Sequence, residues 1–288
     1  MNFDYPWSIV SLGVAVLVVG VPSLLLASRG GRFRGLPGWA GFWVFFSILL
    51  VLLSRVTPWI GFTLLGLLLL GSLREYFYLA PLRPQDRWAV LFAYLSVPVS
   101  LYAIFINSYP AFATATMMFL FLFIPTGLSL GSPEKGLLDS TGRVMLALLV
   151  FVFCGEHLAW MAHEPSGRLE LFGTLVLVSE LPQRLTGRIR LHDGVFRALG
   201  GMTVSFAAAA GVGAWLAPWI GLDPREGLIA GLLVCLCVTA GGVVTAAVAH
   251  DLSLSASNAR LGRAALLDRI TPAIYAAPLY YHYVSHFA

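Results

Sequence analysis

The segment AHDLSLSASNARLGRAALLDR, residues 249–269, places two carboxylates, Asp251 and Asp268, among the arginines Arg260, Arg263 and Arg269. A third acid, Glu180, stands in SELPQRLTGRIR beside Arg184, Arg188 and Arg190. Carboxylate oxygens next to guanidinium groups are what a Mg²⁺–phosphate complex requires, because the metal takes hard oxygen ligands while arginines pair with phosphate oxygens. A plainer reading is also open: Asp268 caps the start of a helix and Asp251 only ends one.

The elements that position these groups follow from composition. Hydrophobic residues make up 58% of the chain, charged residues 11%, and the mean hydropathy is +0.83. A soluble domain carries about 25% charged residues, so the sequence predicts an integral membrane protein with no sizeable soluble domain. Apolar runs bounded by charge predict an all-α, polytopic protein of about ten transmembrane helices, near 8–27, 38–54, 57–73, 88–108, 111–130, 143–162, 169–183, 198–218, 226–248 and 269–285. With both termini on the non-cytoplasmic side, 15 of the 18 basic residues fall in cytoplasmic loops, only Arg55, Arg168 and Arg225 lying outside. That split follows the positive-inside rule and puts Asp268 and Arg269 at the cytoplasmic face of a cytoplasmic (inner) membrane. The net charge of +4 is then a loop bias, with no nucleic-acid partner implied.

MNFDYPW has no basic residue before its apolar run, which predicts a retained first helix rather than a cleaved leader. Cys154, Cys235 and Cys237 all fall within spans and read as small apolar packing residues. Intramembrane ionisable groups are costly and concentrate here in the second half. Residues 1–140 therefore read as a scaffold of helices and 141–288 as the part carrying a site. In GEHLAWMAHE, Glu156 and His163, and His157 and Glu164, share helix faces at seven-residue spacing. Satisfied interior hydrogen bonds are their expected role, with a metal or proton-relay site as the other reading, although the segment lacks the His-Glu-x-x-His arrangement of a zincin. GLIAG at 227–231 is a small-xxx-small pattern suited to close helix packing inside the chain, with a dimer seam as the other reading.

LLDRITPAIYAAPLYYHY resembles the C-terminal signature of the phosphatidate cytidylyltransferases. GLLVCLCVTAGGVVTAAVAHD is similar to that family's penultimate span, ELPQRLTGR to its acidic segment, and EHLAWM and LREYFYL more weakly to further blocks, so the likeness runs over about residues 70–285. The family joins CTP to phosphatidate, giving CDP-diacylglycerol and pyrophosphate for phospholipid synthesis. The resemblance implies catalytic and Mg²⁺-binding roles for Glu180, Asp251 and Asp268, and phosphate binding by Arg269, Arg184, Arg188, Arg260 and Arg263. Asp193 is a further candidate ligand.

Several family positions are changed. Gly241-Gly242 stands for a Gly-Asp, Ala249 and His250 for a Lys-Arg, Ser255 and Ala256 for a Lys-Asp, Ala264-Ala265 for a His-Gly-Gly, and Thr271 for the signature's last Asp. The loop RIRLHDGVFRAL is short and lacks the family's lysine; Lys135 is the chain's only one. One preorganised donor contributes about 2.7–4 kcal/mol to a transition state, so these losses imply weak or absent turnover. The expectation is a divergent, weak or inactive family member that binds lipid phosphate or a nucleotide, as a homodimer or within a lipid-synthesis complex. An active cytidylyltransferase with arginines and Glu180 in replaced roles is the alternative, and a lipid flippase or transporter the third.

Overall fold

The structure is a computed structural model that describes residues 13, 36–55, 58–131, 136–165, 167–186, 195–252 and 265–288. Among these, the regular structure is entirely helical. Eleven α-helices follow one another: α1 (Leu36–Arg55), α2 (Pro58–Leu79), α3 (Trp88–Phe105), α4 (Tyr109–Met117), α5 (Ile124–Gly131), α6 (Leu137–Ala147), α7 (Gly155–Met161), α8 (Arg168–Thr186), α9 (Val195–Leu216), α10 (Pro224–Asp251) and α11 (Ala265–His286). π-Helical stretches at Met118–Phe123 and Leu148–Cys154 join α4 to α5 and α6 to α7 into two continuous rods.

Local chemistry sets several boundaries. Asp223 and Glu226 form a capping box at the start of α10 with Pro224 at the first helical position, and Ser108 caps α4. Gly221 (φ 79°) closes the 3₁₀ turn Ala217–Ile220 in a left-handed conformation that glycine adopts without strain.

Among the described residues, seven stretches are long and apolar enough to cross a membrane, by length and composition: Gly38–Arg55, Trp59–Leu79, Pro84–Phe105, Tyr109–Ser129, Leu137–Met161, Gly200–Ile220 and Pro224–Asp251. The predicted count was about ten. The span at 8–27 lies outside the described residues apart from Gly13, and 169–183 and 269–285 form α8 and α11, which are long enough but too polar. α8 carries Arg168, Glu170, Glu180 and Arg184; α11 carries Asp268, Arg269, four tyrosines and two prolines.

Those two polar helices are enclosed by protein over much of their length. From Leu169 to Glu180 every residue of α8 but Val178 is buried, and α11 is buried over most of Leu267–Ala277. α8 packs against α1, α7, α9, α10 and α11, while α11 packs against α2, α7, α8 and α10. A helix walled in by other helices presents little surface to lipid, so it can hold charges if they find partners. Hydropathy measures lipid-facing surface, and so it under-reads inner helices.

GLIAG serves internal packing. A Cβ on Gly227 would sit 2.2 Å from the Gly213 carbonyl oxygen and one on Gly231 2.2 Å from that of Ala209, so α9 and α10 touch backbone to backbone. Cys154 and Cys235 are buried and all three cysteines are free thiols.

Candidate functional site

α8 is pinned at both ends to two antiparallel neighbours. Against α1, Glu170 Oε1 accepts from Ser54 Oγ (2.8 Å) and Arg55 Nε (3.4 Å), while Glu180 Oε2 at the other end accepts from the indoles of Trp39 (2.6 Å) and Trp43 (3.4 Å). Against α11, Arg168 Nη1 donates to the Val284 carbonyl (3.0 Å) and Tyr280 Oη to the Arg168 carbonyl (2.7 Å); at the far end Arg184 reaches Asp268. Arg168 and Arg184 are 16 residues apart, about 24 Å along a helix, which approaches the roughly 30 Å of a hydrocarbon core. The two arginine pins thus sit at opposite ends of the α8–α11 pair.

The Arg184 end gathers most of the described groups that the sequence singled out. Glu180, 3% exposed, takes Arg184 Nε (3.2 Å) on the same Oε2 that accepts both indoles, and its buried Oε1 has no partner among the described residues. Arg184 lies with its guanidinium 5.2 Å from the Trp39 ring centre, donating Nη1 to Asp268 Oδ2 (3.3 Å) and Nη2 to the Asp268 carbonyl (3.1 Å). That carbonyl is available because Pro272, four residues on, has no amide to pair with it. Arg184 therefore bridges two acids and a freed backbone oxygen while its face rests on an aromatic ring. Removing one member of a buried ion pair costs about 3–5 kcal/mol, so the bridge fixes the ends of α1, α8 and α11 together.

Asp268 does not cap α11 as the plainer reading had it. The amide of Leu266 donates to Glu75 Oε2 of α2 (3.2 Å), so the cap comes from another helix and Asp268 stands in the first turn. Arg269, next along, is partly buried against Gly38, where an added Cβ would meet its Nη2 at 2.5 Å. It forms no hydrogen bond or ion pair among the described residues; Arg184 repels it while Asp268 and Glu75 attract it.

Asp251 occupies a different place. Exposed at the end of α10, it lines a cavity of about 420 Å³ with Tyr76, Asp139, Arg143 and Val248. Tyr76 donates to the Arg143 carbonyl (3.1 Å) and follows Glu75 in α2, so cavity and arginine bridge lie at the same end of the bundle. Among the described residues no group of three or more His, Cys, Asp or Glu side chains could hold a metal ion. Glu180 and Asp268 are instead joined through one arginine. As arranged, these residues do not fit a Mg²⁺ shared by Glu180, Asp251 and Asp268. Arg188, Asp193, Arg260 and Arg263 lie outside the described residues.

Sequence reasoning missed Trp39 and Trp43, which come from the half expected to be scaffold; their spacing of four, on one helix face, was the available signal. It also erred on GEHLAWMAHE. α7 ends at Met161, so His163 and Glu164 fall beyond it; Glu164 pairs with Arg168 (2.8 Å) and Ser285. Glu156 and His157 are fully buried; His157 Nε2 has no hydrogen-bond partner among the described residues, and the Glu156 carboxyl has only the Ser100 hydroxyl beside it. The expected interior hydrogen bonds are thus sparse at this pair.

The chain is 25% identical over 249 residues to the uncharacterized protein YnbB of Escherichia coli (strain K12), an alignment covering 79% of this chain and 80% of that one. No model of a known family matches the chain. No solved structure matches it.

Proposed function

We propose that this protein is a divergent relative of the phosphatidate cytidylyltransferases that binds a phosphate-bearing lipid or nucleotide at the Arg184–Arg269 end of α8 and α11 without transferring a cytidylyl group. The observation that carries the reading is Arg269: a partly buried guanidinium, beside a second one, that forms no hydrogen bond or ion pair among the described residues although Asp268 and Glu75 stand near it. A phosphate offers it bidentate acceptors. Arg188 follows the end of α8 by two residues and Arg263 precedes α11 by two, so loop arginines flank the same end in sequence and add positive charge. The cavity beside Asp251 gives a headgroup or base room at that end. Absence of turnover is supported by Arg184 holding both Glu180 and Asp268, the acids that metal-assisted transfer would need.

In this reading the chain crosses a cytoplasmic membrane about ten times. The seven apolar stretches are joined by α8, α11 and residues 8–27, with both termini outside and the phosphate site inside. The test is retention of radiolabelled phosphatidate by immobilised protein in detergent, native against Arg269→Gln. Charge-assisted hydrogen bonds contribute about 1.5–3 kcal/mol, so the variant should bind about tenfold or more weakly while eluting as a monodisperse species. Equal retention by the two folded proteins would overturn the reading.

A further inference from the structure

Away from the arginine bridge, a line of imidazoles runs from the surface into the bundle. His286, near the end of α11, is exposed; His282, one turn earlier, is half-buried; His157 on α7 is 0% exposed. Ring centres are 5.7 Å apart between His286 and His282, and 5.4 Å between His282 and His157. Tyr109 stands beside the middle of the line, its hydroxyl 2.9 Å from His282 Nε2 and its ring 6.3 Å from that of His157. His157 Nδ1 lies 2.6 Å from the Phe153 carbonyl in the π-helical stretch, a contact that fixes Nδ1 as the donor and leaves Nε2 as a buried lone pair without a partner among the described residues. Glu156, whose carboxyl has only the Ser100 hydroxyl of α3 beside it, is the adjoining residue.

The surroundings of the line hold little competing charge. His157 faces Tyr109 and Phe112 of α4, Phe153, and Tyr281 and His282 of α11; His282 faces Tyr109, Tyr281, His157 and His286. The ionic groups bordering the line are Glu164 and Arg168, which pair with each other, and Ser285 also donates to Glu164. An imidazole passes a proton by accepting on one nitrogen and releasing from the other, so rings within a bridging hydroxyl's or water's reach can relay it. An unpartnered ionisable group at membrane depth is costly to keep, and proton relays are among its recognised uses.

We propose that His286, His282, Tyr109 and His157 form a proton path from the membrane face where α11 ends to the buried Glu156–His157 pair. A proton enters at His286 or His282, the His282–Tyr109 contact hands it on, and a bridging water carries it to the His157 Nε2 lone pair, which no described side chain reaches directly; each transfer makes one N–H or O–H bond as it breaks another. The path lies at the opposite end of α11 from Asp268 and Arg269 and does not depend on phosphate binding there.

The test is ¹⁵N solid-state NMR of the full chain in phospholipid bilayers, with the His157 imidazole assigned by its loss in His157→Gln. On acidification in D₂O buffer, His157 Nε2 should exchange its lone pair for an N–D bond readily in the native protein. It should exchange about tenfold or more slowly in His282→Phe and more slowly than native in Tyr109→Phe, which keeps the ring and removes only the hydroxyl. Exchange at the native rate in both variants, or failure of His157 to exchange in the native protein, would refute the path. Should His282→Phe not fold, the Tyr109→Phe comparison decides alone.

Discussion

Arg184 carries most of the interactions at the candidate site. It holds Glu180, Asp268 and the carbonyl that Pro272 frees, and rests on Trp39. Arg184→Ala would strand Glu180, whose remaining donors are two indoles on one oxygen, and should destabilise the fold by about 3–5 kcal/mol, read as a lowered midpoint of thermal unfolding in detergent. An unchanged midpoint would mean that the bridge contributes nothing. At this scale the sequence was informative about identity more than placement. Glu180, Arg184, Asp268 and Arg269 were legible as a group and stand together, and the spacing from Asp268 to Pro272 could have indicated the freed carbonyl. Asp251 could not be placed, because its position depends on how the ends of α2, α6 and α10 meet. The Trp39 and Trp43 donors were hidden because tryptophan near a span end reads first as an interfacial anchor.

Among the elements, α8 and α11 are long helices whose polar residues keep them out of the set apolar enough to cross a membrane. Inner helices are relieved of contact with lipid and use their charges as pins: Glu170, Glu180, Arg168 and Arg184 each tie α8 to a neighbour. The α9–α10 contact works by the opposite means, with glycines bringing two backbones into touch. Gly227→Ala would press a methyl against the Gly213 carbonyl oxygen, a backbone atom that cannot swing aside. We expect a loss of about 1–3 kcal/mol, measured as earlier thermal unfolding, whereas Gly242→Ala, which meets no neighbouring atom within 4 Å, should change little. Equal effects at the two positions would show that this crossing is not close-packed. This contact was legible from the spacing of GLIAG alone; the termination of α7 at Met161 was not, since no glycine or proline marks it before Pro165.

For the whole molecule, the membrane character and helical class were plain from composition, while the count was not: seven described stretches are apolar enough to cross a membrane, against about ten expected. Orientation has a convenient reporter in Lys135, the single lysine, which the basic-residue bias assigns to the cytoplasmic side. A membrane-impermeant amine reagent should label Lys135 in inverted vesicles and leave it unmodified in right-side-out ones; the reverse pattern would invert the proposed topology and move the phosphate site to the outer face. The central claim is that the Arg184–Arg269 end binds phosphate without cytidylyl transfer. Its most direct test is purified protein in detergent with Mg²⁺, phosphatidate and radiolabelled CTP, scored for CDP-diacylglycerol beside an Asp268→Asn control and an active cytidylyltransferase. The folded native protein should give no product while the reference enzyme turns over; product that disappears with Asp268→Asn would overturn the phosphate-binding, non-transferring reading and show that Asp268 still serves catalysis.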